Sequence, residues 1–411
     1  MKDKNIIVLA LPRFDGEYES TSFNISLELA KENRVIFVDN PFTMKDVLQN
    51  VRSAQVKKRW LKFLPFSNGL LPYEKDGIRL HILVLPPILP INPLPRGAMY
   101  DVMSRFNHGL IARRIKRAAR RLKMRDFVYI NSWNFLYPDM VGLLKPSLSV
   151  YHCVDAMIKP YTLRHGEYLE PRAIRNADLV VSTSRALMEN KAAFNPNSYF
   201  IPNAANFAHS AKALAPETEI PAALSPLKKP IIGYFGNIER RIDYDLLKQV
   251  LEQHPEWTLA LVGPIDRTYF PDWFGKIPNV ATLGPRPYAT MPGFLKGFDV
   301  AIIPFKVDHV SRTIFPLKLY EYLGAGKPVV TTPFNPDVIG PLEHVVSVAA
   351  TAGEFARAIQ KELHENSERK IQQRLAVARD NTWEARGQAF ATLLEEWLHK
   401  KGAASWDSKA H

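Results

Sequence analysis

The sequence predicts an α/β protein made of two successive domains, each a parallel sheet flanked by helices. Two observations carry this. Short, continuous apolar runs of five to eight residues alternate with helix-like stretches over most of the chain, and runs that are apolar on both faces suit strands of a buried parallel sheet. The alternation is interrupted once, at 204–230, where "AANFAHSAKALAPETEIPAALSPLKKP" is rich in Ala and Pro and has no clear period. A chain of 411 residues is long enough for two or three packed domains.

The elements follow in order. "NIIVLAL" (5–11) is a strand, too short for a secretion-signal core or a bilayer span. A helix pattern covers 21–32 and a strand 34–39. "LHILVLPPILPINPLP" (80–95) starts as a strand, and its prolines exclude a spanning helix. A helix pattern at 101–123 precedes strands at 126–131, 148–154, 177–184 and 198–203. These make a first Rossmann-like domain, 1–207, and 208–229 reads as a linker. A second such domain, 230–380, has strands at 230–236, 258–263, 280–284, 299–305, 328–332 and 345–349. Its helices fall at 243–254, 290–297, 316–323 and 353–365. A long helical pattern fills 367–400. Its end, 381–400, is expected to pack back towards the first domain, and 401–411 to form a polar tail.

Charge is uneven. The net charge is +13, and residues 1–200 hold 30 Lys and Arg against 18 Asp and Glu, whereas 201–411 hold 24 against 23. The segments "KKRWLKFLPF" (57–66) and "GLIARRIKRAARRLKMR" (109–125) mix cations with Trp60, Phe63, Phe66, Leu110, Ile111, Ile115, Leu122 and Met124. Stretches 52–66 and 109–125 therefore suit an anionic membrane surface. The same patterns fit a solvated helix face packed on the sheet. No nucleic-acid-binding module accompanies them, so no nucleic-acid partner is expected. One cysteine, Cys153, leaves no internal disulfide and fits a cytoplasmic setting, peripheral on the inner face of the plasma membrane.

The most informative stretch is "FPLKLYEYLGAGKPVV" (315–330). Its "GAGK" imitates a phosphate loop. However, Pro328 stands where Ser or Thr is needed, and the helix precedes the glycines instead of following them. Gly324 or Gly326 is better read as a helix C-cap. The other end of the helix is the candidate site. Pro316 suits the first turn, and the helix starts past a strand's carboxyl edge, where its free N–H groups favour an anion. Lys318 adds a full charge for a diphosphate. Glu321, one turn on, could accept hydrogen bonds from ribose hydroxyls. Spacing alone also fits a surface Lys–Glu pair.

Four other stretches carry candidates. In "GNIERRID" (236–243), Gly236 lets backbone approach a phosphate, with Asn237 beside it, and Arg240 or Arg241 can pair with a diphosphate. A solvated arginine pair is the alternative. "DYD" (243–245) imitates a metal motif, yet Asp243 reads as an N-cap and Asp245 as a first-turn acid. With no Cys/His cluster elsewhere, no metal or other cofactor is expected. Asp155, at the end of "YHCVD", could position or deprotonate a hydroxyl, or cap a turn; His152 reads as a packed strand residue. Gly16, in "PRFDGEYESTSFN", allows close backbone approach or makes an ordinary turn.

Segment 315–330 resembles the donor-nucleotide motif of glycosyltransferase family 4, which has the GT-B fold: two Rossmann-like domains whose parallel sheets face a central cleft. It is most similar to a bacterial subgroup of teichuronic acid and exopolysaccharide glycosyltransferases, with its "P-L-K-x-x-E-Y-L-A-x-G-K-P-V-V" pattern. "GYFGNIERRIDYDLL" (233–247), "NVATLGPRPYATMPGFLKGFDVAIIPF" (279–305), "VYHCVD" and "NTWEAR" also resemble that subgroup. The resemblance implies a donor site of Gly16, Gly236, Asn237, Arg240, Arg241, Arg286, Thr313, Pro316, Leu317, Lys318 and Glu321. Asp155, Arg241 and Lys318 are the implied catalytic groups. It implies no bound metal. Relatives often carry a second glutamate eight positions before the one at Glu321, where this chain has Thr313.

The expected function is retaining, metal-independent transfer of a sugar from a nucleotide sugar to a glycan or lipid-linked acceptor in polysaccharide or cell-envelope synthesis. A sugar-nucleotide epimerase of the same fold, a basic nucleic-acid-binding protein and an inactive relative lacking the Thr313-position glutamate are the alternatives.

Overall fold

The computed structural model describes residues 1–16, 20–158 and 160–407. The chain divides into two compact units, Met1–Pro202 with Arg386–His411, and Asn203–Ala385.

The first unit holds one sheet of β1 (Asn5–Ala10), β2 (Arg34–Val38), β3 (Leu70–Lys75), β4 (Ile78–Leu83), β5 (Phe127–Ser132), β6 (Leu148–Cys153), β7 (Leu179–Ser182) and β8 (Ser198–Phe200). Their spatial order is β3-β4-β2-β1-β5-β6-β7-β8. All neighbours are parallel except β3 and β4. Sequence reading misses β3 because "LLPYEK" is polar and carries Pro72, features of an edge strand.

Helix Ala98–Arg121 buries Ile111, Ala112, Ile115, Ala118 and Ala119 in one cluster with Ile7, Leu9, Ile36, Val38 and Tyr129. Met124 joins this cluster, and Leu110 and Leu122 pack against it. The apolar stripe expected to face a membrane at 109–125 is thus spent on the core. Arg114 goes inward too, donating to the carbonyls of Ser67, Lys62 and Leu64. In helix Ala54–Phe63, Val56, Arg59 and Phe63 are buried, whereas Trp60, Leu61 and the nearby Phe66 are exposed. Arg59 is fully buried and pairs with Asp39 at 2.7 Å and Asp15 at 2.6 Å, so it braces the loop after β1.

The pattern at 367–400 forms two helices, Glu368–Asp380 and Trp383–Asp407, because the backbone turns at Asn381 and Thr382. The second helix joins the first unit. Phe390 meets the His152 ring edge-on, Trp397 Nε1 donates to Tyr199 Oη at 3.2 Å, and Lys401 reaches Asp178 at 2.9 Å. Residues 401–407 are helical rather than a tail, and 408–411 lie outside the described residues.

The second unit begins earlier than the sequence suggests. Segment 208–229 includes helix Phe207–Ser210 and 3-10 turns Ala211–Leu214 and Ala222–Leu224. It packs on helix Met291–Gly297, where a Cβ at Gly293 would stand 2.5 Å from the Glu219 carbonyl oxygen. The sheet comprises β9 (Ile231–Phe235), β10 (Thr258–Val262), β11 (Val280–Gly284), β12 (Val300–Ile303), β13 (Val329–Thr331) and β14 (Ser347–Val348). It is wholly parallel, in the order β11-β10-β9-β12-β13-β14. The order reverses between β9 and β12. In open α/β sheets, ligands bind outside the carboxyl ends of strands at such a reversal.

Candidate functional site

Both chain segments leaving that reversal point carry predicted residues. After β12 the chain makes a 3-10 turn, Ser311–Thr313, and then helix Leu317–Gly324. Pro316 is the N-cap, and no side chain caps the helix, so its first-turn N–H groups are not satisfied by a capping side chain. Leu317 is half-buried and Glu321 is buried on the same helix. The Thr313 hydroxyl is turned back to the Val310 carbonyl at 2.7 Å.

Lys318 projects towards the end of β9. Its Nζ donates to Tyr234 Oη at 2.7 Å and lies 4.1 Å from the Tyr234 ring centroid and 5.1 Å from that of Phe305. Burial of the ammonium, followed by repulsion from Arg241, lowers its pKa to about 7, with Glu239 and Glu321 opposing. Tyr234 Oη in turn donates to the Asn237 carbonyl at 2.9 Å, tying the lysine to the loop after β9. Gly236 opens that loop with φ +118°, and a Cβ there would stand 2.8 Å from Lys318 Nζ. The backbone therefore favours glycine here, and the ammonium occupies the place where a side chain would begin.

The loop's arginines diverge. Arg240 Nη2 lies 3.3 Å from Asp308 Oδ2. Arg241 pairs through Nε with Glu239, whose residue is 7% exposed. Asp243 is an N-cap, accepting from Leu246 N–H at 3.0 Å, so "DYD" serves the helix Tyr244–Gln253.

The "GAGK" stretch is a helix exit. Gly326 has φ +69°, its N–H bonds the Leu323 carbonyl, and Lys327 N–H bonds the Tyr322 carbonyl. This is a Schellman closure. The Lys327 ammonium donates to the Phe298 and Lys296 carbonyls at 2.7 and 3.1 Å, so it serves the joint and not a phosphate.

The structure gathers Gly236, Asn237, Arg241, Pro316, Leu317, Lys318 and Glu321 around one strand reversal. It does not bring Arg286 into this group. That residue is exposed, donates to the Leu283 carbonyl and lines a separate depression with Lys212, Glu219 and Thr290.

Gly16 and Asp155 belong to the first unit. Gly16 N–H closes a turn on the Arg13 carbonyl at 3.2 Å, and the next three residues lie outside the described ones. Asp155 accepts from Ala156 N–H at 2.8 Å beyond β6. His152 is packed in the strand. Its Nδ1 meets Ser132 Oγ at 3.0 Å, and burial lowers its pKa to about 3. Among the described residues no group of three His, Cys, Asp or Glu side chains could hold a metal ion, and no helix is long and apolar enough to cross a membrane.

Sequence reasoning missed Tyr234, Phe305 and Glu239. The first two sit in apolar runs that read as core, and Glu239 is two residues from a more conspicuous arginine. Chemically, the site offers two cations and a helix start without a side-chain cap to an anion, with a buried carboxylate one helical turn behind.

Residues 229–365 match the family model described as glycosyl transferases group 1. A curated relative, the putative teichuronic acid biosynthesis glycosyltransferase TuaH of Bacillus subtilis (strain 168), is 26% identical over 268 residues, covering 60% of this chain and 66% of the relative. The match therefore spans just under two thirds of that relative's length. The fold is similar to sucrose-phosphate synthase of Thermosynechococcus elongatus (TM-score 0.62, 15% identity, 97% of this chain and 100% of that one). It is also similar to Anabaena Alr3699/HepE in complex with UDP (TM-score 0.61, 14% identity, 96% and 100%). A third likeness is to an E. coli trehalose-6-phosphate protein described as bound with UDP-2-fluoro glucose (TM-score 0.64, 12% identity, 95% and 99%). Together these matches show a glycosyl transferase group 1 domain over 229–365 and a two-domain fold of the GT-B kind.

Proposed function

We propose that this chain, which carries a glycosyl transferase group 1 domain, moves a sugar from a nucleotide-sugar donor to a glycan or lipid-linked acceptor. The observation that carries the reading is the convergence of Lys318, Arg241 and the start of helix Leu317–Gly324, which no side chain caps, where the strand order reverses. As the bond from sugar to diphosphate breaks, negative charge builds on the leaving oxygens. Fixed cations and helix N–H groups stabilise that charge. Glu321 takes the ribose hydroxyls. The acceptor belongs to the first unit, with Asp155 beside its hydroxyl, and transfer proceeds with retention and without a metal ion. The named complexes of two structural neighbours contain UDP or a UDP-sugar, which makes UDP-sugars the first donors to try.

A thermal-shift panel of UDP-, GDP- and dTDP-sugars tests the donor. One that binds only the folded state raises the melting temperature. Lys318→Ala is expected to lower the transfer rate by about 10²–10³-fold. Transfer at an unchanged rate would remove Lys318 from the mechanism.

Contact with an anionic membrane is the second part of the proposal. It rests on 44–66, where Leu48 (79%), Leu61 (71%) and Phe66 (83%) are the most exposed of several large apolar side chains, and Lys45, Arg52, Lys57 and Lys58 stand among them, exposed. The enzyme would then act at the cytoplasmic face, as a peripheral protein of cell-envelope synthesis.

A further inference from the structure

The Arg241 and Lys318 side chains raise a problem of their own. Two cations held beside each other in a partly dry site repel, and each would gain by turning away to solvent. The structure shows what prevents this. Glu239, buried, pairs its Oε1 with Arg241 Nε. Its own place is fixed from behind, since the Glu239 carbonyl accepts the Tyr244 hydroxyl at 3.0 Å and the Ile242 N–H at 3.2 Å. Arg240, next in sequence, is drawn off to Asp308 and does not compete for the carboxylate.

We propose that Glu239 is a positioning residue of the donor site. Its carboxylate holds the Arg241 guanidinium beside Lys318 and supplies the negative charge that keeps the two cations together before the diphosphate arrives. The inference rests on the donor-site reading given above and adds to it the group that prepares the site.

Every charged or titratable neighbour of Lys318 contributes. Tyr234 on β9 accepts its hydrogen bond. Burial lowers its pKa most and Arg241 on the loop lowers it further, whereas Glu239 on the same loop and Glu321 on its own helix raise it. The net result, about 7, leaves the lysine poised to gain a proton when an anion binds. Above that pH the charged fraction of the empty site falls about tenfold per pH unit, and anion affinity falls with it. Removing the Glu239 charge lowers the lysine pKa further, so the fall begins at a lower pH. Removing the Arg241 charge does the opposite.

The test is calorimetric titration of the full chain with UDP, GDP, dTDP and ADP between about pH 6 and about pH 9. Wild type, Glu239→Gln, Glu239→Asp and Arg241→Gln are compared. For the nucleotide that binds wild type best, Glu239→Gln is expected to weaken binding several-fold at neutral pH, with its alkaline fall moved to lower pH. Glu239→Asp restores most of the affinity. Arg241→Gln binds more weakly throughout but moves the fall to higher pH. If Glu239→Gln does not fold, the Arg241→Gln displacement still decides. A Glu239→Gln curve that superimposes on wild type, or lies below it by one factor at every pH, overturns the positioning role. So does an Arg241→Gln fall that stays in place. Should no diphosphate bind wild type at any pH, the donor site itself fails, an outcome distinct from both.

Discussion

Lys318 shows how one residue takes its chemistry from three segments. The helix aims it, Tyr234 from β9 accepts its hydrogen bond, and Gly236 leaves the space it occupies. Gly236→Ala therefore has two effects. It places a side chain at φ +118° and puts a Cβ within 2.8 Å of the ammonium. The lysine tip can move aside, but only by leaving Tyr234. Nucleotide affinity is expected to fall by at least about tenfold, while stability drops by about 1–3 kcal/mol, the cost of a side chain held at a positive φ. Calorimetry and urea unfolding on one preparation separate the two. Equal affinity in the variant would detach the lysine's position from donor binding. At this scale the sequence marked Lys318 and Glu321 as a pair one turn apart. It did not mark Tyr234, because a tyrosine in an apolar run shows its apolar body and hides where its hydroxyl goes.

At the scale of elements, helix Leu317–Gly324 is built as a unit with a functional start and a structural end. The end is the Schellman turn at Gly326, φ +69°, where a Cβ would stand 2.9 Å from Ile371 Cγ2. Gly326→Ala should destabilise the protein by about 1 kcal/mol or more, read from the urea midpoint. An unchanged midpoint would show that the turn tolerates a side chain. Two lysines, one in the first turn of this helix and one just past its end, also make stability depend on pH. Burial lowers Lys318 to about 7 and Lys327 to about 8, against an ordinary 10.5. Between those values and 10.5 the unfolded chain binds more protons than the folded one, so stability rises with pH. The urea midpoint of the ligand-free protein is expected to climb from about pH 7 to about pH 9, and Lys318→Met to flatten the climb. A midpoint that does not rise over this range would mean that both lysines stay charged in the fold.

For the whole molecule, the surplus of cations in the first half finds two different uses. Arg59 and Arg114 are internal braces, and the apolar stripe of helix Ala98–Arg121 lies in the core. What remains outside at 44–66 is a group of exposed apolar side chains among lysines. Replacing Leu48, Leu61 and Phe66 together by Ser should reduce co-sedimentation with phosphatidylserine vesicles about tenfold or more, since each buried CH₂ is worth about 0.8 kcal/mol. Neutral vesicles should retain little of the wild-type protein. Equal sedimentation of wild type and variant would assign any membrane attachment to another surface.

The α/β class, the repeat of the Rossmann pattern and the helix that carries Lys318 were all legible in the sequence. They depend on local period and on helix-end chemistry, which travel with the residues themselves. The edge strand β3 was not legible, since an edge strand has only one face to bury. Nor was the break at Asn381, a local backbone turn inside a helical period. The fate of the basic stripes was decided only by tertiary structure. An amphipathic helix has the same period whether its apolar face meets a sheet or a lipid, and only the packed partner distinguishes them. The same holds for Glu239 and Arg286. Their charges are fixed by sequence, but what each charge faces depends on which strand ends the fold brings together.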